Sequence, residues 1–232
     1  MAETSLTSVF ENRKKDRLQS TEGDVLSLRS YNLALTGLLT YGFLINAVMV
    51  YYLAWPIQQF MAGLGFWGML LVYLLPVIVG TIVAFTSKNP FISFIGYNLV
   101  IVPMGLILAT FIPNLPVEIV TKAMVLTAMV TVTMVLLAII KPAFFLGLGR
   151  TLFVALLVGM IVELVATFLL GYRGEMFDWF FVLLFSGYIG FDVAKSQAYP
   201  KTLDNAVDSA LDIYIDVIYL FIRLLSILGK RN

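Results

Sequence analysis

Seven apolar stretches, each long enough to cross a bilayer, follow one another along the chain: about Tyr31–Trp55, Gly65–Thr86, Phe91–Ile112, Val117–Ile140, Phe144–Leu170, Phe177–Ala198 and Ala206–Leu228. Inside hydrocarbon a backbone must satisfy its own hydrogen bonds, so spans of this kind are helices. The expected fold is therefore an all-α membrane protein with seven transmembrane helices. Breakers mark the links: Trp55-Pro56 with Gly63, Lys88-Asn89-Pro90, Pro113-Asn114-Leu115-Pro116, Lys141-Pro142, Gly171-Tyr172-Arg173-Gly174 and Tyr199-Pro200. Loops this short leave no room for a soluble domain. Pro76 and Pro103 fall inside the second and third spans and are expected to kink them. No internal repeat suggests inverted-repeat transport.

Composition agrees, with 60% hydrophobic and 12% charged residues and a mean hydropathy of +0.95, the profile of a polytopic membrane protein. A net charge of +1 implies no nucleic-acid partner. Without cysteine or histidine there is neither a disulfide framework nor the commonest metal ligand, so titration near neutral pH falls to carboxylates. Two domains are expected: a polar cytoplasmic arm over residues 1–30, with no apolar core of a signal peptide, and a transmembrane domain over residues 31–229.

Lysine and arginine set the orientation. The N-terminal side collects Arg13, Lys14, Lys15, Arg17, Arg29, Lys88, Lys141, Arg150, Lys195 and Lys201, against Lys122, Arg173, Arg223, Lys230 and Arg231 on the other. The N-terminus is thus expected in the cytoplasm.

Carboxylates at bilayer depth are the functional signal. A charge there costs on the order of 3 kcal/mol, so such a residue faces a partner, a cavity or a pathway. Asp192 and Asp216 flank the turn at residues 199–205 almost symmetrically, which at about 1.5 Å per residue places each roughly 10 to 15 Å in from that end. Contact between them is expected, because the alternative is two separately unpaired charges. Two carboxylates in one site cannot both ionise cheaply, so the pair is a candidate proton switch. Asp212, one turn from Asp216, and Glu163 in the fifth span are further candidates for an ion path. Asp204 and Asp208 continue the same four-residue spacing and are expected near headgroups and water, at a helix N-terminus that favours them. The run Ser186-Gly187-Tyr188-Ile189-Gly190 suits close helix packing. Tyr31, Tyr51, Tyr52, Trp55, Trp67 and Trp179 read as an interfacial aromatic belt.

The segments Tyr188-Ile189-Gly190-Phe191-Asp192-Val193-Ala194-Lys195-Ser196-Gln197 and Leu211-Asp212-Ile213-Tyr214-Ile215-Asp216-Val217-Ile218-Tyr219-Leu220-Phe221 resemble the C-terminal signature of the Bax inhibitor-1, or transmembrane Bax inhibitor motif, family. The spacing of their aspartates is similar too. Leu148-Gly149-Arg150-Thr151-Leu152-Phe153 resembles the start of that family's fifth helix, and Thr121-Lys122-Ala123-Met124-Val125-Leu126-Thr127 its fourth. The resemblance implies six helices wrapped around a central, C-terminal seventh, and a pH-sensitive calcium leak channel gated by the aspartate pair. Calcium would be the permeant ion, held only in passing by Asp192 and Asp216, with no other cofactor and with protons and lipid as the remaining partners. It also implies a basic residue at the cytoplasmic end of the second helix that latches the pair, a position taken here by Lys88. The basic C-terminal tail of animal members is reduced to Lys230-Arg231-Asn232, and the short loops suit a bacterial plasma membrane. Two other classes stand beside the channel. One is a non-conducting protein that binds another membrane complex. The other is an intramembrane aspartyl protease, against which Ile189 and the lack of Pro-Ala-Leu in the seventh span weigh.

Overall fold

The computed structural model describes residues 25–171 and 174–230. Most of the expected polar arm, with Arg173 and Arg231, lies outside them. Eight α-helices follow in the described residues: α1 (Leu28–Tyr52), α2 (Ala54–Thr86), α3 (Pro90–Phe111), α4 (Val117–Ile140), α5 (Pro142–Gly147), α6 (Gly149–Leu169), α7 (Glu175–Ala198) and α8 (Leu203–Lys230). The chain divides into two compact units, one drawn from residues up to Pro113 together with Ser196–Leu211, the other from Asn114–Lys195 together with Asp212 onward.

Local chemistry sets the helix ends. Ser27 caps α1 by accepting from the Ser30 amide at 3.1 Å. Asn89 caps α3 by accepting from Phe91 at 2.9 Å, with Pro90 in the first turn, where its missing N–H costs nothing. α2 departs from the expected boundaries. Pro56 is absorbed into its first turn, and the break falls at Gly65, whose φ of 63° suits a residue without a side chain. The short piece before the break is held by Ile57 and Met61, one turn apart, which pack with Met49 and Ala109. Pro76 and Pro103 both lie inside helices that continue through them. Lys141-Pro142 ends α4, and the fifth apolar stretch resolves into α5 and α6.

In the first unit α2 and α3 approach closely through Gly80 and Gly96. A Cβ on Gly96 would meet the Ala84 amide nitrogen at 2.5 Å and the Gly80 carbonyl at 2.6 Å. Tyr31, fully buried, donates to the Ser196 carbonyl at 3.1 Å and to Ser209 Oγ at 3.2 Å, so α1 is tied to the start of α8. Residues 25–26 close over the turn beside it, where Leu26 N–H donates to the Lys201 carbonyl at 2.6 Å and Val25 pairs with Thr202. Lys201 donates to three carbonyls at the end of α7, those of Ser196, Gln197 and Tyr199, and its burial lowers the ammonium pKa from the ordinary lysine value.

One sequence expectation changes here. Asp204 and Asp208 are not solvated: Asp204 accepts from Ser93 Oγ at 2.6 Å, and Asp208 is only 1% exposed. The cause is the packing of α1 and α3 around the first turns of α8. α8 carries a polar stripe, since Asp204, Asp208, Asp212, Asp216, Tyr219, Arg223, Ser226 and Lys230 recur three or four residues apart and share one face. Six helical segments among the described residues are long and apolar enough to cross a membrane: Leu28–Tyr52, Trp67–Thr86, Pro90–Asn114, Val117–Ile140, Gly149–Leu169 and Glu175–Ala198. Its polar stripe keeps α8 out of that set. Large apolar side chains stay exposed on the spans, among them Leu71, Met129, Val132 and Phe168, as a lipid-facing surface requires.

The glycine contact gives a first prediction. Gly96→Ala should lower the melting temperature of the detergent-purified protein, at a cost of about 1 to 3 kcal/mol for the overpacked interface. Gly37→Ala, where a Cβ would meet nothing within 4 Å, should not. Equal melting temperatures for both variants would show that the α2–α3 approach is not tight.

Candidate functional site

The second unit carries the deep charges on three helices. On α7 the residues Phe181, Phe185, Tyr188, Asp192 and Lys195 fall on one face. On α8 the matching series is Asp212, Asp216, Tyr219 and Arg223, and α6 contributes Glu163. Close packing of α5 and α6 against α7 follows from small residues. A Cβ on Gly190 would run into the Phe145 ring, and one on Gly149 would meet the Phe191 ring at 2.7 Å.

Asp192 on α7 and Asp216 on α8, both 5% exposed, line the same cavity wall. Carboxylates have only acceptors, so a buried one without a donor is costly unless it holds a proton. Asp216 Oδ2 is buried and has no hydrogen-bond partner. Lys195 supplies the neighbouring cation. Its ammonium donates to Asp192, one turn away on α7, and stands 2.9 Å from Asp212 Oδ2 on α8, with the Phe191 ring 5.2 Å off. Two carboxylates thus share one ammonium, and Asp216 lines the same cavity.

A second cluster is built on Arg223. Its guanidinium grips Glu163 with both nitrogens, at 2.6 Å and 2.7 Å, the bidentate geometry that suits arginine. Nη1 also donates to Asp178 at 3.0 Å, and the Phe181 ring lies 4.2 Å below the guanidinium carbon. The other oxygen of Asp178 accepts from Ser226 and Lys230, both at 2.8 Å. Between the two clusters Phe185 stacks on Tyr219, 5.2 Å apart at 12°.

Both clusters open on one cavity of about 630 Å³, lined by Glu163 and Arg223, by Tyr188 and Tyr219, and by Asp192, Lys195, Asp212 and Asp216. Its apolar wall includes Met160, Leu164 and Phe168. Among the described residues no group of three or more acidic side chains is arranged as a resident metal site.

The structure therefore brings together Asp192, Asp216 and Asp212, and places Glu163 on the same cavity. Lys88 sits in the α2–α3 connection, exposed, and belongs to the first unit. Sequence reading missed Lys195, Arg223 and Asp178 as members of the site, counting the two basic residues only toward orientation. The signal was present in the spacing, since Lys195 lies three residues after Asp192 and Arg223 seven after Asp216, on the faces that carry the carboxyls.

Six helices long and apolar enough to cross a bilayer define an integral membrane protein, with buried carboxyl groups on one cavity. The family model described as "Inhibitor of apoptosis-promoting Bax1" matches residues 24–232, and the chain belongs to the Bax inhibitor-1 family. No curated protein and no solved structure matches it.

If Lys195 is the counter-charge of the carboxyl cluster, Lys195→Met should destabilise the purified protein by about 3 kcal/mol, because it strands buried acids without their cation. Lys195→Arg should recover most of the loss. A Met variant melting with the wild type would reduce Lys195 to a solvated side chain.

Proposed function

We propose that this protein is a pH-sensitive calcium leak channel, gated by the proton shared between Asp192 and Asp216. The observation that carries the reading is the placement of that buried pair, with Lys195 and Asp212, in the wall of a cavity running past two ionic clusters. The proposed architecture has α8 as a seventh span at the centre of the other six. Burial supports it: Ala206, Ala210, Leu211, Tyr214 and Leu220 are fully inaccessible along its length. A helix with a charged stripe belongs in a protein interior rather than in lipid. The excess of basic residues on the N-terminal side favours a cytoplasmic N-terminus, and the short loops favour a bacterial plasma membrane.

In the closed state the Lys195 ammonium takes the position among the carboxyls that a passing cation needs. The groups that set its hold are Asp192, Asp212 and Asp216, with the Tyr188 hydroxyl nearby. Acid delivers a second proton to the pair, Asp192 loses its negative charge, and Lys195 keeps only Asp212. The sign follows: the closed state is favoured while the pair carries one proton, and leak rises as falling pH adds the second. Calcium, which prefers oxygen ligands, would meet Asp192, Asp212, Asp216 and Glu163, bound weakly enough to be released. The reading requires no catalytic step and no resident cofactor. Lys88 in the α2–α3 connection would add to the latch from the cytoplasmic side, and Lys88→Met measures its share.

Calcium flux from liposomes containing only this protein tests the reading. Wild type should leak more as pH falls from about 8 to about 6, and Asp216→Asn should flatten that response, since an amide does not titrate. An Asp216→Asn variant with the wild-type pH profile would remove the pair from the gate. Absence of flux at every pH would turn the reading toward an interaction protein.

A further inference from the structure

The geometry points to Arg223 as a second barrier, distinct from the carboxyl pair, that decides whether a cation can leave the cavity at its far end. This rests on the leak-channel reading above and deepens it. Arg223 stands seven residues beyond Asp216 on α8, roughly 10 Å along the axis, past the stacked Phe185 and Tyr219. It lines the cavity together with Glu163. Asp178, 4% exposed, is not among the lining residues and holds the guanidinium from behind. Two nitrogens on Glu163, one of them shared with Asp178, and the Phe181 face below leave the arginine little freedom.

A fixed guanidinium in the wall of a narrow, partly desolvated space repels calcium more strongly than it would in water. Glu163 compensates that charge on the cavity side, whereas Lys230 and Ser226 occupy the other oxygen of Asp178. A cation passing this level draws Glu163 away from Arg223, takes its carboxylate as an oxygen ligand, and leaves the guanidinium to Asp178. Glu163 therefore assists the cation and Arg223 opposes it. The two residues are bonded to each other, yet their removal must act in opposite directions.

That opposition separates a charge barrier from a pin that only holds helices together. In the liposome assay at neutral pH, Arg223→Gln should raise calcium leak by roughly tenfold and retain the acid-dependent rise, because the Asp192–Asp216 pair is untouched. Arg223→Lys, which keeps the charge, should stay near wild type. Glu163→Gln should lower leak several-fold, since the arginine then faces the cavity uncompensated. Arg223→Gln at wild-type flux, or Arg223→Gln and Glu163→Gln raising flux alike, would overturn the barrier while a wild-type acid response left the channel reading standing. No flux from wild type or any variant would overturn both. If Arg223→Gln does not yield a monodisperse protein, the sign of the Glu163→Gln change decides alone: a fall supports the barrier, and no change or a rise overturns it.

Discussion

The cost of placing charge in an apolar interior governs this structure. In water an isolated carboxylate is solvated at no expense, but inside a helix bundle its charge must be matched by a cation, a donor or a proton. The second unit supplies cations and a donor, and the proposed mechanism adds the proton. Lys195 answers Asp192 and Asp212, and Arg223 with Lys230 answers Glu163 and Asp178. Asp216 is buried with its Oδ2 unpartnered, and in the proposed mechanism a proton answers it. A site balanced by a proton is a site whose balance depends on pH.

Packing puts these charges where they meet. The glycine at 190 lets α7 lie against the Phe145 ring, and the one at 149 admits Phe191, the residue that neighbours both Asp192 and the Lys195 ammonium. The aromatic layer of Phe181, Phe185 and Tyr219 keeps the two ionic clusters apart and gives each its own partners. Had they merged, Arg223 could neutralise Asp216 directly and the proton would have no role. Separation of the clusters is thus as much a part of the proposed mechanism as the clusters themselves.

Much of this was legible in the sequence because hydrocarbon imposes a length and a composition on every span, which is why the six apolar helices fall close to their expected limits. The limits that shifted did so for local reasons: Pro56 fits a first helical turn, so the α2 break passes to Gly65. Asp192, Asp212, Asp216 and Glu163 stood out because acids in apolar runs are costly. Their cations did not, since Lys195 and Arg223 lie near span ends, where basic residues also mark orientation, and only helical phase distinguishes the two roles. Asp178 was hidden for a similar reason, standing in the first turn of α7 where an acid is ordinary. The burial of Asp204 and Asp208 depends on contacts from α1 and α3 more than a hundred residues away, which no local pattern carries.

The shared proton is the claim on which the rest depends, and infrared spectroscopy of the purified protein in lipid reads it directly. A protonated carboxyl has a carbonyl stretch separate from the carboxylate bands. The account predicts such a band at neutral pH in the wild type, shifted by deuterium exchange and lost in both Asp192→Asn and Asp216→Asn. A wild-type spectrum without a protonated carboxyl at neutral pH, or a band that survives both substitutions, would contradict it.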